Sequence, residues 1–462
     1  MPQAQTVDLP KRLPLVLSPE NRDDTTGKDA RLVNGYVEKG AEGDYHLYRR
    51  PGLLVSVTKT GNGYGAYNWK GNIYTIFGAT LYKDGASIGT VDSTGGVYHF
   101  SQTLGGTNYF VLGNGVKAYT WDNSSLLQIT DGDFPAAFVK GWAYLDATTY
   151  VMDANANIQG SGLNNPPSWD AGNVITAQIE PDAGVALAKQ LVYVIALKGW
   201  TAEVFYDAAN PSGSPLGRVQ GAKINYGCVT AGSVQNLGDS LIWAATTREA
   251  GVQVVMLDNL KVSVISTKPV ERLLSNANFT TVFSWGMKIN GHRFYVLTLK
   301  ETNLTLVYDL SERLWQQWTD ADGNYFPIVS ATFNSSRQLL LQHETNGKLY
   351  IADTDYFNDD GSLITVDLYT PNFDAGVRRR KLMNFMEFIG DQTPGSILQV
   401  RSNDNDYQAD KWTNFRNVDL SKKRPYLSNC GTFYRRAHHF RHRCNTAFRI
   451  QAVEMQLDLG TL

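Results

Sequence analysis

The stretch CGTFYRRAHHFRHRC, Cys430 to Cys444, concentrates more side chains capable of chemistry than any other part of this sequence. Folded as a strand, it brings His438, His442 and Cys444 to one face by alternation. With Cys430 returning across a hairpin, that face offers four ligands of the kind zinc takes. No CxxC knuckle anchors such a site, however, and Arg435, Arg436, Arg441 and Arg443 crowd it with positive charge. The expectation is therefore no metal and no cofactor. A basic strand that meets a partner or the phosphates of DNA fits these residues better, with a solvated basic face as the plainer alternative. Two more basic runs, Arg378-Arg379-Arg380-Lys381 and Lys422-Lys423-Arg424, join the set of DNA- or partner-contacting candidates. Clustered cations hold a phosphate backbone without reading its sequence. An exposed linker and an exposed loop are the alternatives for these two runs.

The acidic groups promise less. DTDYFNDDG, with Asp353, Asp355, Asp359 and Asp360, has the density of a calcium loop. Its Gly361 falls at the ninth position instead of the sixth, and Ile364 stands at the twelfth, where a glutamate is needed. A solvated turn is expected there. SNDNDYQADKW, Ser402 to Trp412, is a loosened Asp-box with Asp406 in place of the glycine, and Asp-boxes are structural turns. Glycoside hydrolysis needs paired carboxyl groups. Glu203, Glu249 and Asp309 are the acids nearest strand-like runs, and nothing in the sequence draws them together. No GxxxxGK[ST], GxSxG or HExxH occurs, which leaves NTPase, hydrolase-elbow and zincin readings without support. No catalytic residues are expected.

The elements that would position these groups are strands. Thr281 to Trp318 reads as TVFSWGMKI, a turn at Asn290-Gly291, HRFYVLTL, a polar turn, LTLVYDL, a turn at Ser311-Glu312, and RLWQQW. Asn-Gly between alternating runs is a strong hairpin signal, because both residues accept positive φ. Four short antiparallel strands in succession make one propeller blade. The grammar recurs with turn centres at 71, 106, 141, 189, 238, 291 and 336, which predicts an all-β fold: a β-propeller of about seven blades. Residues 1–60 would supply an arm and the ring-closing strand, and residues 61–370 the propeller. After Pro371 the grammar changes, and strands such as SILQVRS and AFRIQAVEMQLDL predict a small, basic C-terminal domain over 371–462, resembling a β-sandwich.

Composition agrees with a folded strand-rich chain: 42% hydrophobic, 19% charged, with 42 Gly and 24 Tyr among 462 residues. The net charge of −2 hides an asymmetry. From residue 371 onward 15 Lys/Arg face 9 Asp/Glu, so the end of the chain is basic and the remainder acidic. That fits an assembly protein meeting different neighbours at its two ends. Three cysteines make no disulfide framework and imply synthesis in a reducing compartment. Residues 1–22 lack the apolar run of a signal peptide, no window approaches a membrane span, and no membrane anchor is expected.

Three segments carry a family resemblance. The first is RLVNGYVEKG (Arg31 to Gly40) with the following Arg50-Pro51-Gly52-Leu53. The second is SGLNNPPSWDAGNVITAQIEPDAGVALAKQLVYVIALKGWTAEVFYD (Ser161 to Asp207), reading on through Tyr226-Gly227-Cys228. The third is the blade ending VYDLSERLWQQW. In these the sequence resembles the tail hub, or nozzle, proteins of short-tailed phages, the packaged-DNA stabilisation family. The resemblance spans most of residues 30 to 320 and weakens over the last 140. It implies a structural virion protein of the tail, made in the host bacterial cytoplasm, that forms a hexameric ring below the portal and adaptor. The ring would seal the exit channel for double-stranded DNA, which it would contact non-specifically, and bind a tail needle, plug or fibre. The alternatives are a propeller-type tail glycosidase or lyase acting on host surface polysaccharide, and a WD-type interaction propeller. The latter lacks a repeated Trp-Asp ending, since only Trp121-Asp122 and Trp169-Asp170 occur.

Overall fold

Asn290 (φ 47°) and Gly291 (φ 87°) both lie in the left-handed region, so two residues suffice to close the hairpin, and Ile289 pairs with His292. Register then runs unbroken to Val282 opposite Leu299, through the strands Val282–Ile289 and His292–Leu299. The same turn recurs at Lys70-Gly71 and Asp84-Gly85. The structure is a computed structural model that describes residues 10–13, 15, 30–40, 45–249 and 251–460. It divides into two units. One comprises Val55–Asn303 and Pro327–Ile351; the other comprises Met1–Leu54, Leu304–Phe326 and Ala352–Leu462.

In the first unit, complete four-stranded antiparallel sheets occupy residues 63–90, 99–128, 143–176, 184–218 and 235–264. A sixth sheet opens with the Asn290-Gly291 hairpin, and a seventh with Ile328–Phe333 against Leu339–His343. Among the described residues, the seven opening strands are neighbours in chain order, and Ile328–Phe333 returns to lie beside Gly63–Trp69. The fold is a β-propeller of seven blades. The geometry follows from alternation: a small sheet with two apolar faces buries both only by stacking on a sheet at either side. Between blades 1 and 2, Tyr74, Ile76, Phe110, Leu112 and Trp121 form such a layer, with Trp121 Nε1 donating to the Tyr74 hydroxyl at 3.1 Å.

The ring closes between blades 7 and 1. Gln342 accepts from Gly65 N–H (2.7 Å) and donates to Ile76 O (2.8 Å), while Ser330 Oγ accepts from Ala66 N–H (2.9 Å). Gly52–Thr58 follows Lys348–Asp353 in the seventh sheet, and Lys59 N–H bonds Gly347 O at 2.7 Å. An early strand of the chain thus completes the last blade.

Two expected turns lie elsewhere. The first hairpin of blade 3 turns at Asp146-Ala147 (φ 42° and 69°) and not at Gly141. Gly141 instead precedes the inner strand, where an added Cβ would meet Leu187 O at 2.0 Å. It is a close-approach glycine, misread as a turn. In blade 4 the turn is Leu191-Val192, with Leu191 at φ 53°, two residues past Lys189. Helix content is small: an α-helix, Lys268–Ser275, follows the last strand of blade 5.

The second unit is a β-sandwich. One sheet has the order Gly35–Lys39, Tyr45–Arg49, Arg449–Leu459, Lys381–Gly390, Tyr426–Ser428. The other runs Leu304–Asp309, Leu314–Gln317, Arg31–Val33, Val366–Tyr369, Ala437–His442, Ile397–Asn403, Arg416–Asp419. Between them Met383, Met386, Phe388 and Met455 pack on Leu368, Leu398, Val400 and Phe440, with the Phe388 and Phe440 rings edge-on at 5.4 Å. Strands from both ends of the chain therefore share one core.

Candidate functional sites in the two units

The seven inner strands enclose a cavity of about 1090 Å³. Its charged wall residues are Lys140, Lys189 and Glu344, and Glu344 takes an ion pair from Lys300 at 2.6 Å. His99 also faces the cavity. Burial, reinforced by the nearby Lys140 ammonium, holds its imidazole at about 3, so it is neutral at physiological pH. Desolvation also draws both lysines below the ordinary lysine range. Tyr64, Tyr67, Phe100 and Tyr144 supply aromatic surface. A wall with one acid, already paired, offers no carboxylate pair for glycoside cleavage.

The three strand-associated acids do not converge. Glu249 is exposed between two strands of blade 5. Asp309, in the sandwich unit, is buried and accepts from Ser311 N–H at 2.8 Å as a turn cap. Glu203 is fully buried at the outer part of blade 4 and is bound to Lys198 (2.8 Å) and Arg218 (3.0 Å). Lys198 also reaches Asp182 at 2.9 Å, and all three of Lys198, Asp182 and Glu203 are sealed from solvent. Asp182 further accepts from Trp200 and Thr201 N–H, each at 2.9 Å. Burial pushes its carboxyl up, but the bonds from Lys198, Trp200 and Thr201 outweigh this and hold it below the usual carboxylate range. This is a structural charge cluster. The sequence shows its members spread from Asp182 to Arg218 without a recognisable spacing.

In the sandwich, the His438–His442 strand faces inward. His438 Nδ1 pairs with Ser402 Oγ at 3.0 Å, and His442 Nε2 with Ser396 Oγ at 2.8 Å. Cys430 Sγ points to Leu427 O, and Cys444 Sγ to the Ile397 backbone. The four groups that alternation grouped as zinc ligands are thus each engaged separately. Among the described residues no three or more His, Cys, Asp or Glu side chains gather as a metal site.

The basic candidates separate by burial. Lys381 is buried, its ammonium donating to Val377 O (2.6 Å), Arg379 O (2.8 Å) and Tyr434 O (2.8 Å). Arg436 is buried too and binds both carboxylate oxygens of Asp404. In this chain the donors of both are spent on backbone carbonyls and a carboxylate of the surrounding loops. Arg441 is half-buried on Asp367 (2.8 Å). Arg424 lies bidentate on Glu387, and Arg435 makes a single contact to Asp406 Oδ1 at 2.7 Å, both from exposed positions. Arg379 donates to Gly460 O and Arg380 to Thr432 Oγ1. Arg378, Lys422, Lys423 and Arg443 are exposed.

In the acidic loop Asp353, Asp355 and Asp360 are exposed, as a solvated turn predicts, and Asp359 is the exception. Asp359 is held by the fully buried Arg50 guanidinium, at 3.0 Å and 2.5 Å. Arg50 also donates to Asn34 Oδ1 (3.0 Å) and Thr319 O (3.1 Å), and lies over the Phe326 ring. Asn34, at φ 56°, donates in turn to Thr319 Oγ1 and Thr365 O. An added Cβ on Gly52 would meet Tyr356 O at 2.3 Å. The Asn34-Gly35 and Arg50-Pro51-Gly52 segments therefore matter structurally, fixing four distant stretches of chain at one guanidinium. Lysine keeps the charge but not the planar fork, so Arg50→Lys is expected to cost about 1–3 kcal/mol of sandwich stability. Thermal unfolding followed by near-UV circular dichroism checks this, and an unchanged melting temperature would refute it.

A family model described as "Bacteriophage P22 Gp10, beta-propeller" matches residues 35–355. Similar solved structures include the WD40 repeats of RRP9 (11% identity, 66% of this chain and 99% of that one, TM-score 0.42). Another is the extracellular domain of a one-component system from B. thetaiotaomicron (10% identity, 86% of this chain and 59% of that one, TM-score 0.43). A search of curated protein sequences found no match. Among the described residues no helix is long and apolar enough to cross a membrane. The family match covers more than two thirds of the chain, and the chain belongs to the phage packaged-DNA stabilisation family of structural, β-propeller virion proteins.

Proposed function

We propose that this protein is the tail hub, or nozzle, of a short-tailed phage: a hexameric ring below the portal and adaptor that seals the DNA exit channel and keeps the packaged genome in place. The observation that carries this reading is the family match over residues 35–355. The chemistry of the two units supports a scaffolding role without enzymatic activity, since the buried Glu203 and the half-buried Asp359 are each spent on a buried cation. Needle, plug or fibre proteins and the connector above are the further partners. Non-specific contacts to DNA phosphates fall to exposed cations of the sandwich unit such as Arg378, Lys422, Lys423 and Arg443.

Particles assembled without this chain test the proposal. They are expected to package DNA and then release it, so that the genome becomes nuclease-sensitive. Particles that keep a protected genome without the chain would overturn the reading.

A further inference from the structure

Lys140 and Lys189 on the wall of the propeller bore form no ion pair among the described residues, although burial disfavours the charge on each. Asp146 lies near enough to Lys189 to ease its burden but not to pair with it. The parallel bridge between Lys140 and Ala186 aligns the two inner strands. Lys189 therefore lies three residues, roughly 10 Å, further along the bore than Lys140. Nothing else on the wall answers these charges. His99 stays neutral beside Lys140, and Glu344 is committed to Lys300.

Leu104, at the mouth of the cavity, is 73% exposed. Leu163 is 73% exposed as well, and Val192, in the turn that follows the strand of Lys189, is 62% exposed. Leu104 and Leu163 are held on one patch by the Tyr144 hydroxyl, which accepts from Leu104 N–H (3.1 Å) and donates to Asn164 Oδ1 (2.8 Å). Exposed apolar groups clustered at a cavity mouth mark a place where something docks.

We propose that the bore is a binding site for an extended acidic peptide segment carrying apolar side chains, supplied by a neighbouring protein. Lys140 and Lys189 each take a carboxylate, and the exposed Leu104 at the mouth, with Leu163 on the same patch, takes apolar groups. Charge complementarity selects this occupant. A single-stranded nucleic acid presents a phosphate at every nucleotide and is held by a continuous basic groove, which two lysines do not make. The proposal stands whether or not the chain forms a ring.

The test uses the full chain and a fluorescent eight-residue peptide of alternating Glu and Leu, followed by anisotropy at low salt. The Gln-Leu peptide is expected to bind about tenfold more weakly or worse, and the K140M/K189M variant to lose the preference for Glu. Methionine keeps the packing of each stem, and an unchanged melting temperature certifies the fold. Failure of the Glu-Leu peptide to bind, or equal binding by the variant, would overturn the proposal. So would displacement of the peptide by an oligothymidylate of equal length at lower concentration than by unlabelled peptide, which would assign the site to nucleic acid.

Discussion

Lys198→Met is expected to cost the propeller on the order of 3–5 kcal/mol at neutral pH. The ammonium lies 2.9 Å from Asp182 and 2.8 Å from Glu203, and none of the three side chains touches solvent. Methionine fills the same space and removes the ammonium that reaches both carboxylates. Glu203 keeps Arg218 at 3.0 Å, whereas Asp182 is left with the neutral donors Trp200 and Thr201. A buried carboxylate without a cation takes up a proton at higher pH than usual. The deficit of the variant should therefore shrink as the pH falls towards 5. Guanidinium unfolding monitored by tryptophan fluorescence at pH 7 and pH 5 checks both points. Adding Asp182→Asn and Glu203→Gln should restore most of the loss, because an all-neutral cluster leaves no charge buried. A loss below about 1 kcal/mol at pH 7 would show that the cluster is not the buried, coupled group described here.

The sandwich should be acid-sensitive through His438 and His442. Burial lowers both imidazoles to about 3, assisted by the Arg436 guanidinium at His438 and the Arg49 guanidinium at His442. In the unfolded chain an imidazole protonates near 6.5. Between pH 6.5 and about 3 the unfolded state thus binds protons that the folded state refuses, so stability rises with pH through that window and is lost as pH falls. Each histidine contributes roughly 1.4 kcal/mol per pH unit, and the pair roughly twice that. His439 shares the direction through burial, but Asp367 at 2.7 Å offsets part of it. Melting temperatures between pH 7.5 and 5 should fall steeply, and His438→Gln with His442→Gln should flatten the slope. A melting temperature independent of pH over this range would contradict the burial and neutrality of these rings.

The propeller was legible because its signals are local. Asn290-Gly291, Lys70-Gly71 and Asp84-Gly85 each encode a two-residue turn by residue type, and alternation on either side sets the register. Blade 3 escaped where the turn used Asp146-Ala147, since alanine at φ 69° gives no warning in the sequence. The sandwich was less legible, because its strands pair across hundreds of residues: Tyr48 opposite Arg449, and Leu32 opposite Leu368. The basic runs show the same limit. Lys381 and Arg436 differ from Arg378 and Arg443 only in what surrounds them, and long-range contacts decide which cation is consumed by the fold. The Arg50–Asp359 pair, 309 residues apart, left a trace only at Arg50, whose segment carries part of the family resemblance, and none at Asp359.

The most direct test of the hub assignment is cryo-electron microscopy of the phage tail, resolved well enough to trace this chain. A six-fold ring of seven-bladed propellers on the tail axis below the portal, enclosing the DNA channel, is the predicted result. Absence of the chain from the tail axis, or its presence only as peripheral spikes, would contradict it.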